Sequence, residues 1–421
     1  MNSSGEARTA GTILIRGARQ LLTLQFRGSR GPRRGADWND LGIIQDGAVL
    51  VRDGVIKELG PTRRVENLAE ARNALEVNAV GRVVMPGFVD SHTHLPFPPA
   101  GGASRDSGSA VRAVLTSSSK LLAAKTRLHL DAMARHGTTT VEAKSGCGGE
   151  VAGDIKVLRS LASLKTVPID VCPTYLMKLP GTSELGTPEG ERPEAMRLIG
   201  EFLPLLRRRG LALCADLEWE PEAALYPVFL RYLEAARELG LRRKVQDRHP
   251  LPTGSVLAAV ENGALSIDHY CRHDSFEMGL LARSSTLVTL LPATELFGDG
   301  PAAPARELAQ GGVAVAIGSN FNPLESPILS MQTVIWLACR HLKLTPAEAI
   351  SAATINGAHA LGVAERVGSL ECGKSADLLL LNTGDYRELG HRLGANAVHL
   401  TMKRGEIIYR EGKVAPLAGK G

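Results

Sequence analysis

The chain has 421 residues, with 49 lysines and arginines against 44 aspartates and glutamates, a formal net charge of +5. Its 44% hydrophobic and 22% charged content is that of an ordinary globular protein, which excludes a wholly disordered or fibrous chain. Charge this balanced also argues against a polyelectrolyte partner, so no nucleic acid is expected. Apolar runs such as Leu287 to Leu291 and Gly312 to Ile317 fall far below the roughly 18 residues of a membrane span, and no membrane segment is expected. The opening MNSSGEARTAG carries no continuous apolar block, so a reducing, cytoplasmic compartment is the expectation. Cys147, Cys172, Cys214, Cys271, Cys339 and Cys372 are scattered without a CxxC pair and read as small buried apolar residues.

In chain order, the first strand-like pieces are TILIRGARQLLTL and GAVLVRDGVIKELG, the second folded by a turn at Asp53-Gly54. Before that turn, RGSRGPRRG (27–35) has no interleaved aromatics and reads as a solvated loop. Eight β-branched or apolar runs then follow: RVVMPGFVD, GTTTVEAKSG, VPIDVCPTYLM, LALCADLEW, RRKVQDRH, ALSIDHY, STLVTLLPA and VAVAIGSN. Amphipathic helix candidates separate them, among them AGDIKVLRSLASL, RPEAMRLIGEFLPLLRRRG and FLRYLEAARELG. Eight β/α alternations point to a closed (β/α)8 barrel. A doubly wound sheet is the alternative, but no GxGxxG turn opens the first helix, and the polar residues gather where strand runs end. After the barrel come ADLLLLN and AVHLTMKRGEIIYREGK, the latter turning at Arg404-Gly405. Neither flank buries a stable sheet alone. The expected architecture is therefore a small β-sandwich built from both chain ends, 1–85 with 366–421, around a barrel at 86–365.

The first barrel run leads into His92-Thr93-His94, and strand alternation points both imidazoles to one side, as a shared metal ion requires. Gln246 and His249 close the RRKVQDRH run, His269 ends SIDHY, and Asn320 ends AIGSN; all belong at the same barrel mouth. Any one of them alone reads as a satisfied polar residue at a rim. Together they form a polar cluster around two histidines.

PGFVDSHTHL, GTTTVEAKSG and LTPAEAISAATINGAHALGVAERVGSLECGKSADLLLLN resemble the metal-dependent amidohydrolase superfamily over nearly the whole chain. ARQLLTL, GPRRGADWNDLGIIQDGAVLVRDG and SNFNP add a resemblance to the imidazolonepropionases within it. The resemblance implies a (β/α)8 barrel with a β-sandwich from both termini. It also implies hydrolysis of a non-peptide carbon–nitrogen bond in a small cyclic amide, as in histidine catabolism. A divalent metal, zinc or iron, is implied at His92 and His94 and at positions 246 and 320. There Gln246 stands for the histidine of a HADE-like motif, and Asn320 for the aspartate of a TDxNP-like motif. His249 falls where that HADE-like motif has its glutamate and is a candidate catalytic group beside His269, which would polarise the carbonyl or shuttle protons. Lys144 and Asn322 fall at substrate-binding positions. Cys147 replaces a tyrosine, YLMKLPG lacks a family histidine, and PFPPAGGASRDSGS stands where the family has a substrate loop bearing Arg and Tyr. The alternative, carried by the substituted ligands, is a catalytically reduced barrel that binds a small ligand or partner without metal-dependent turnover. A homodimer is left open.

Overall fold

A computed structural model describes residues 11–25, 31–95, 107–147, 150–164, 166–179, 193–219, 226–247, 254–297, 303–322 and 325–412. Strand-forming runs from the two chain ends meet in one eight-stranded sheet. The first end supplies β1 (Ile13–Leu22), β2 (Ile43–Arg52), β3 (Val55–Pro61), β4 (Leu75–Asn78) and β5 (Val83–Pro86). The second supplies β14 (Leu378–Leu381), β15 (Val398–Lys403) and β16 (Glu406–Arg410). The order is β16-β15-β14-β5-β1-β2-β3, with β4 paired to β1. Both expected turns are present. Asp53 and Gly54 have φ of 52° and 77°, and Arg404 and Gly405 have 49° and 76°, the left-handed pair a two-residue hairpin needs.

The run of four leucines in β14 follows from its central place. Leu378 and Leu380 pack into the core of the terminal sheet, while Leu379 and Leu381 face the larger core that includes the barrel. With both faces covered, alternation with polar residues is lost. In β5, Val84 and its neighbours Val83 and Met85 divide between the same two cores.

The second sheet is parallel throughout, in the order β13-β12-β11-β10-β9-β8-β7-β6. Its members are β6 (Phe88–Asp90), β7 (Thr138–Lys144), β8 (Asp170–Leu179), β9 (Cys214–Trp219), β10 (Arg242–Gln246), β11 (Ser266–Asp268), β12 (Leu287–Leu290) and β13 (Val315–Ile317). The ring closes beyond the last residues of β6 and β13. Asn320 N donates to His92 O at 2.9 Å and His94 N to Phe321 O at 3.0 Å, around a Thr93–Phe321 bridge. Asp90 reinforces this seam by accepting from Ser319 N at 2.9 Å and Ser319 Oγ at 2.6 Å. The eight sequence runs thus correspond to the eight barrel strands of a (β/α)8 architecture joined to a sheet from the chain ends.

RVVMPGFVD is not one strand. Its first half is β5 of the terminal sheet and its second half is β6 of the barrel. They part at Gly87, where a Cβ would lie 2.3 Å from the Thr139 side chain. The helix candidates form at Val151–Ala162, Pro193–Arg208 and Tyr226–Glu238. The middle one widens into a π turn at Leu198–Phe202, just ahead of Pro204, which has no N–H to donate back along the helix.

The basic segment 27–35 is not simply a solvated loop. Residues 26–30 lie outside the described residues, but Arg33 is buried. Its guanidinium donates to the carbonyls of Leu24 (2.7 Å), Gln25 (3.2 Å), Asp37 (3.0 Å) and Asp40. Arg34 Nη2 donates to Ser284 O at 2.8 Å. Here the planar five-donor fork of arginine gathers carbonyls that have no ladder partner. Of the cysteines, Cys147, Cys172 and Cys214 are buried as expected, Cys271 and Cys339 are half-buried, and Cys372 is exposed, which corrects the uniform reading. Among the described residues no helix is long and apolar enough to cross a membrane.

Candidate active site

Period-two alternation aims pairs of side chains from neighbouring strands into the barrel. β7 contributes Glu142 and Lys144, β10 contributes Lys244 and Gln246, and β11 contributes Ser266 and Asp268; Thr174 from β8 and Asp216 from β9 join them, all buried. Lys144 Nζ lies 2.5 Å from Asp216 Oδ2, 3.0 Å from Glu142 Oε2 and 3.4 Å from Asp268 Oδ2. Lys244 Nζ lies 2.9 Å from Glu142 Oε2 and 3.1 Å from Asp268 Oδ2, and donates to Ser91 O at 2.8 Å. Thr174 Oγ1 donates to Glu142 Oε1 at 2.7 Å, and Ser266 Oγ to Asp268 Oδ1 at 2.6 Å.

Burial alone would strip the charge from these groups, and their proximity prevents it. Desolvation pulls the Lys144 ammonium down, but Asp216, Glu142 and Asp268 outweigh it and hold Lys144 well above its ordinary value. Desolvation pushes the Asp268 carboxyl up, yet Lys244, Lys144 and His92 hold it well below the usual carboxylate range. Lys144, Lys244, Glu142, Asp216 and Asp268 thus lie side by side in one buried layer beneath the barrel mouth.

His92 stands on this layer. Its Nδ1 is 2.7 Å from Asp268 Oδ2. Burial, seconded by Lys144, holds its imidazole well below the ordinary histidine value, so the ring is neutral. Against an ionised Asp268 the hydrogen belongs on Nδ1, which leaves the lone pair on Nε2. That buried Nε2 has no hydrogen-bond partner among the described residues. Two further imidazoles flank the ring, with centroids at 5.3 Å for His94 and 5.1 Å for His269. His269 takes a left-handed φ of 62° as the chain leaves β11. Gly318 permits the approach from β13, since a Cβ there would sit 2.9 Å from His92 Cβ and 3.0 Å from its backbone N.

A carboxylate that orients a histidine through one nitrogen while the other stays open is the usual support of a metal-binding imidazole. The neutral ring, its orphaned Nε2 and two adjacent imidazoles fit a divalent cation at the mouth. One ligand-capable atom each from His92, Glu142 and Asp268 also lies within 4.8 Å of the others, but both carboxylates of that triad already face Lys144 and Lys244. A cation held at this mouth would therefore lie on the Nε2 side of His92.

The remaining sequence candidates divide. Gln246 is buried at the end of β10, with Nε2 donating to Asp216 Oδ2 at 2.9 Å. Asn320, with φ of 48°, donates through Nδ2 to Thr294 Oγ1 at 2.7 Å and Glu325 Oε2 at 2.9 Å. Both carboxamides thus turn their NH2 ends to carboxylates and would offer a cation only neutral oxygens, that of Asn320 already accepting from Asn322 Nδ2 at 3.2 Å. Asn322 Nδ2 donates to Asn320 O at 2.7 Å, and its Oδ1 accepts from Glu325 N at 2.8 Å. The Lys144 ammonium sits in the buried layer against Asp216, and His249 lies outside the described residues. Sequence reasoning passed over Glu142, Asp216, Lys244, Asp268 and Glu325. A signal was available for three of them, because Glu142, Asp216 and Asp268 are charged residues inside short apolar runs on the inward register.

Comparison with known proteins gives the same picture over the whole chain. The profile of the amidohydrolase family matches residues 83–164 and 243–408. The imidazolonepropionase of Geobacillus thermodenitrificans is 36% identical over 428 residues, covering 96% of this chain and 99% of that protein. The imidazolonepropionase of Symbiobacterium thermophilum is also 36% identical, covering 96% and 98%. Among solved structures, E. coli guanine deaminase superposes with a TM-score of 0.72 at 16% identity, covering 95% of this chain and 99% of that one. An adenosine deaminase from Xanthomonas campestris with bound zinc gives 0.67 at 20% identity, covering 94% and 92%. At such identities these structures speak for the fold alone.

Proposed function

Because this chain belongs to the amidohydrolase family, a family that is generally metal-dependent, we propose that it is an imidazolonepropionase-like hydrolase that opens a carbon–nitrogen bond of a cyclic amide. The observation that carries this is His92, neutral and fixed by Asp268, with its buried Nε2 open beside His94 and His269. His92, His94 and the oxygens of Gln246 and Asn320 would hold a zinc or iron ion, which, when bound, would polarise the ring carbonyl and acidify a water. Asp268 fixes the His92 tautomer, and Lys144 and Lys244 keep Asp268 ionised for that task. His269 is the candidate proton carrier, and Lys144 and Asn322 remain proposed substrate-side residues. Glu142 and Asp216 hold the two lysines so that the layer does not shift when substrate enters. A cytoplasmic location belongs to this reading, in keeping with six free cysteines.

The test is elemental analysis of the purified protein, reconstitution with zinc or ferrous iron, and a ring-opening assay on imidazolonepropionate and a panel of lactams and hydantoins. A stoichiometric metal with turnover of one of these supports the reading, and no metal after reconstitution removes it. The capture of the Gln246 and Asn320 NH2 groups by carboxylates favours a second reading, a barrel that binds without turnover. Saturable binding of a cyclic amide with no product formed would select it.

A further inference from the structure

We propose that the Asp247–Arg272 ion pair is the device that holds the His269 imidazole against His92. The inference rests on the hydrolase reading above, in which His269 carries the proton, and names what positions it.

His269 follows β11 directly and takes a left-handed φ of 62°, a conformation that costs any residue with a Cβ and persists only where its surroundings enforce it. On the β12 side, His269 N donates to Thr289 O at 3.1 Å. On the β10 side the support comes from one residue, Asp247, and it comes twice. The backbone N of Asp247 donates to Asp268 O at 2.7 Å, immediately before His269. Its carboxylate receives Arg272, three residues after His269, with Nε at 3.0 Å from Oδ2 and Nη2 at 3.1 Å from Oδ1. Both ends of the segment 268–272 are thus pinned to a single residue at the neighbouring strand end, and His269 lies inside the loop so closed.

The far end of Arg272 is fixed as well. Its Nη1 donates to Glu277 Oε1 at 3.0 Å, and Tyr270 Oη, on a ring buried in the main core, donates to Glu277 Oε2 at 3.3 Å. Glu277 stands in the first turn of the helix Ser275–Ala282, where Asp274 Oδ1 caps the start by accepting from Phe276 N at 2.8 Å and Glu277 N at 3.0 Å. The chain is therefore tied down at Asp268, His269, Tyr270, Arg272 and Glu277 in turn. A two-bond fork fixes direction as well as distance, which a single ammonium would not do. The Asp247 side chain is fully buried and that of Arg272 is 19% exposed, so the pair is weakly screened. What the fork holds in place is an imidazole whose centroid lies 5.1 Å from that of His92, edge to face. The pair acts through His269, and both its members are positioning residues.

The experiment uses the full-length protein with isotope-labelled histidine and compares by NMR the parent, Arg272→Lys, and Asp247→Asn combined with Arg272→Gln. Lysine keeps the charge but cannot make both bonds, and the double variant removes both charges together, so neither leaves a carboxylate buried alone. The His269 ring signals are assigned by their loss in His269→Gln. In both variants they should shift or broaden, while those of His359 and His399, in the helix Gly357–Ala360 and in β15, stay as in the parent. In an active parent, kcat on its best cyclic amide should fall by about tenfold or more and KM should stay within about threefold, since a misplaced proton carrier slows the chemical step without weakening substrate binding. His269 signals identical to the parent's in both variants overturn the proposal. So do changes at His359 and His399 as large as those at His269, which would report general loosening, and so does an unaltered kcat in an active parent. A parent that turns over no cyclic amide overturns the hydrolase reading instead, and the histidine spectra still decide whether Arg272 and Asp247 hold His269.

Discussion

The residue that decides most at this site is Asp268, because it serves His92 on one side and two lysines on the other. Replacing it by Asn keeps the shape and removes the charge that Lys144 and Lys244 share with it. Breaking one member out of a buried ion network typically costs about 3–5 kcal/mol, so Asp268→Asn should lower the urea-unfolding free energy by about that amount. Unchanged stability would mean that Glu142 and Asp216 suffice for both ammonium groups. Gln246 offers a gain in the opposite direction. A histidine there can donate one nitrogen to Asp216 and keep the other for a cation, so Gln246→His should tighten zinc binding about tenfold, or about 1.4 kcal/mol, by calorimetry. An unaltered affinity would place position 246 away from the cation. At this scale the HxH pair and His269 were legible in the sequence, since strand ends and alternation alone bring them together. The partner of Asn320 was not, because no strand or helix period relates positions 320 and 325.

Elements impose their own conditions, and the seam between β6 and β13 is the sharpest. A methyl group at Gly318 would press on the His92 backbone and Cβ, neither of which has a flexible end to move aside. Gly318→Ala should therefore cost about 1–3 kcal/mol and displace His92, weakening zinc binding as well. Heat-unfolding curves and zinc titrations that both match the parent would show that the seam has slack. Arg33 does comparable work for irregular segments, gathering four carbonyls from two stretches of chain. Arg33→Ala leaves those acceptors buried, at an expected cost of about 3 kcal/mol in urea, and Arg33→Lys should recover little because an ammonium cannot span the fork. Full recovery by lysine would show that charge, not geometry, matters there. Composition suggested that this basic stretch was solvated, because nothing local reveals that carbonyls 24, 25, 37 and 40 converge on it.

For the molecule as a whole, the terminal sheet is tied to the barrel through Lys403. Its ammonium lies 2.6 Å from Asp377 Oδ2, just before β14, and 2.9 Å from Asp170 Oδ2, where β8 begins. Thr401 Oγ1 adds a bond of 2.8 Å to Ala134 O. Lys403→Met would leave the buried Asp377 without its counter-ion and should cost about 3 kcal/mol in a single cooperative unfolding transition. Two separate transitions in the variant would reveal how far sheet and barrel depend on this contact. The sequence by itself determined the eight strand runs, the left-handed turns at Asp53-Gly54 and Arg404-Gly405, and the shared direction of His92 and His94. These follow from backbone period and local φ preference, which each short segment carries with it. Only the tertiary structure decided that Lys144 and Lys244 meet Glu142, Asp216 and Asp268, that RVVMPGFVD splits between two sheets, and that Glu325 returns to Asn320. Those contacts join strands or turn residues whose mutual placement is set by barrel stagger and closure, and no segment encodes that placement alone.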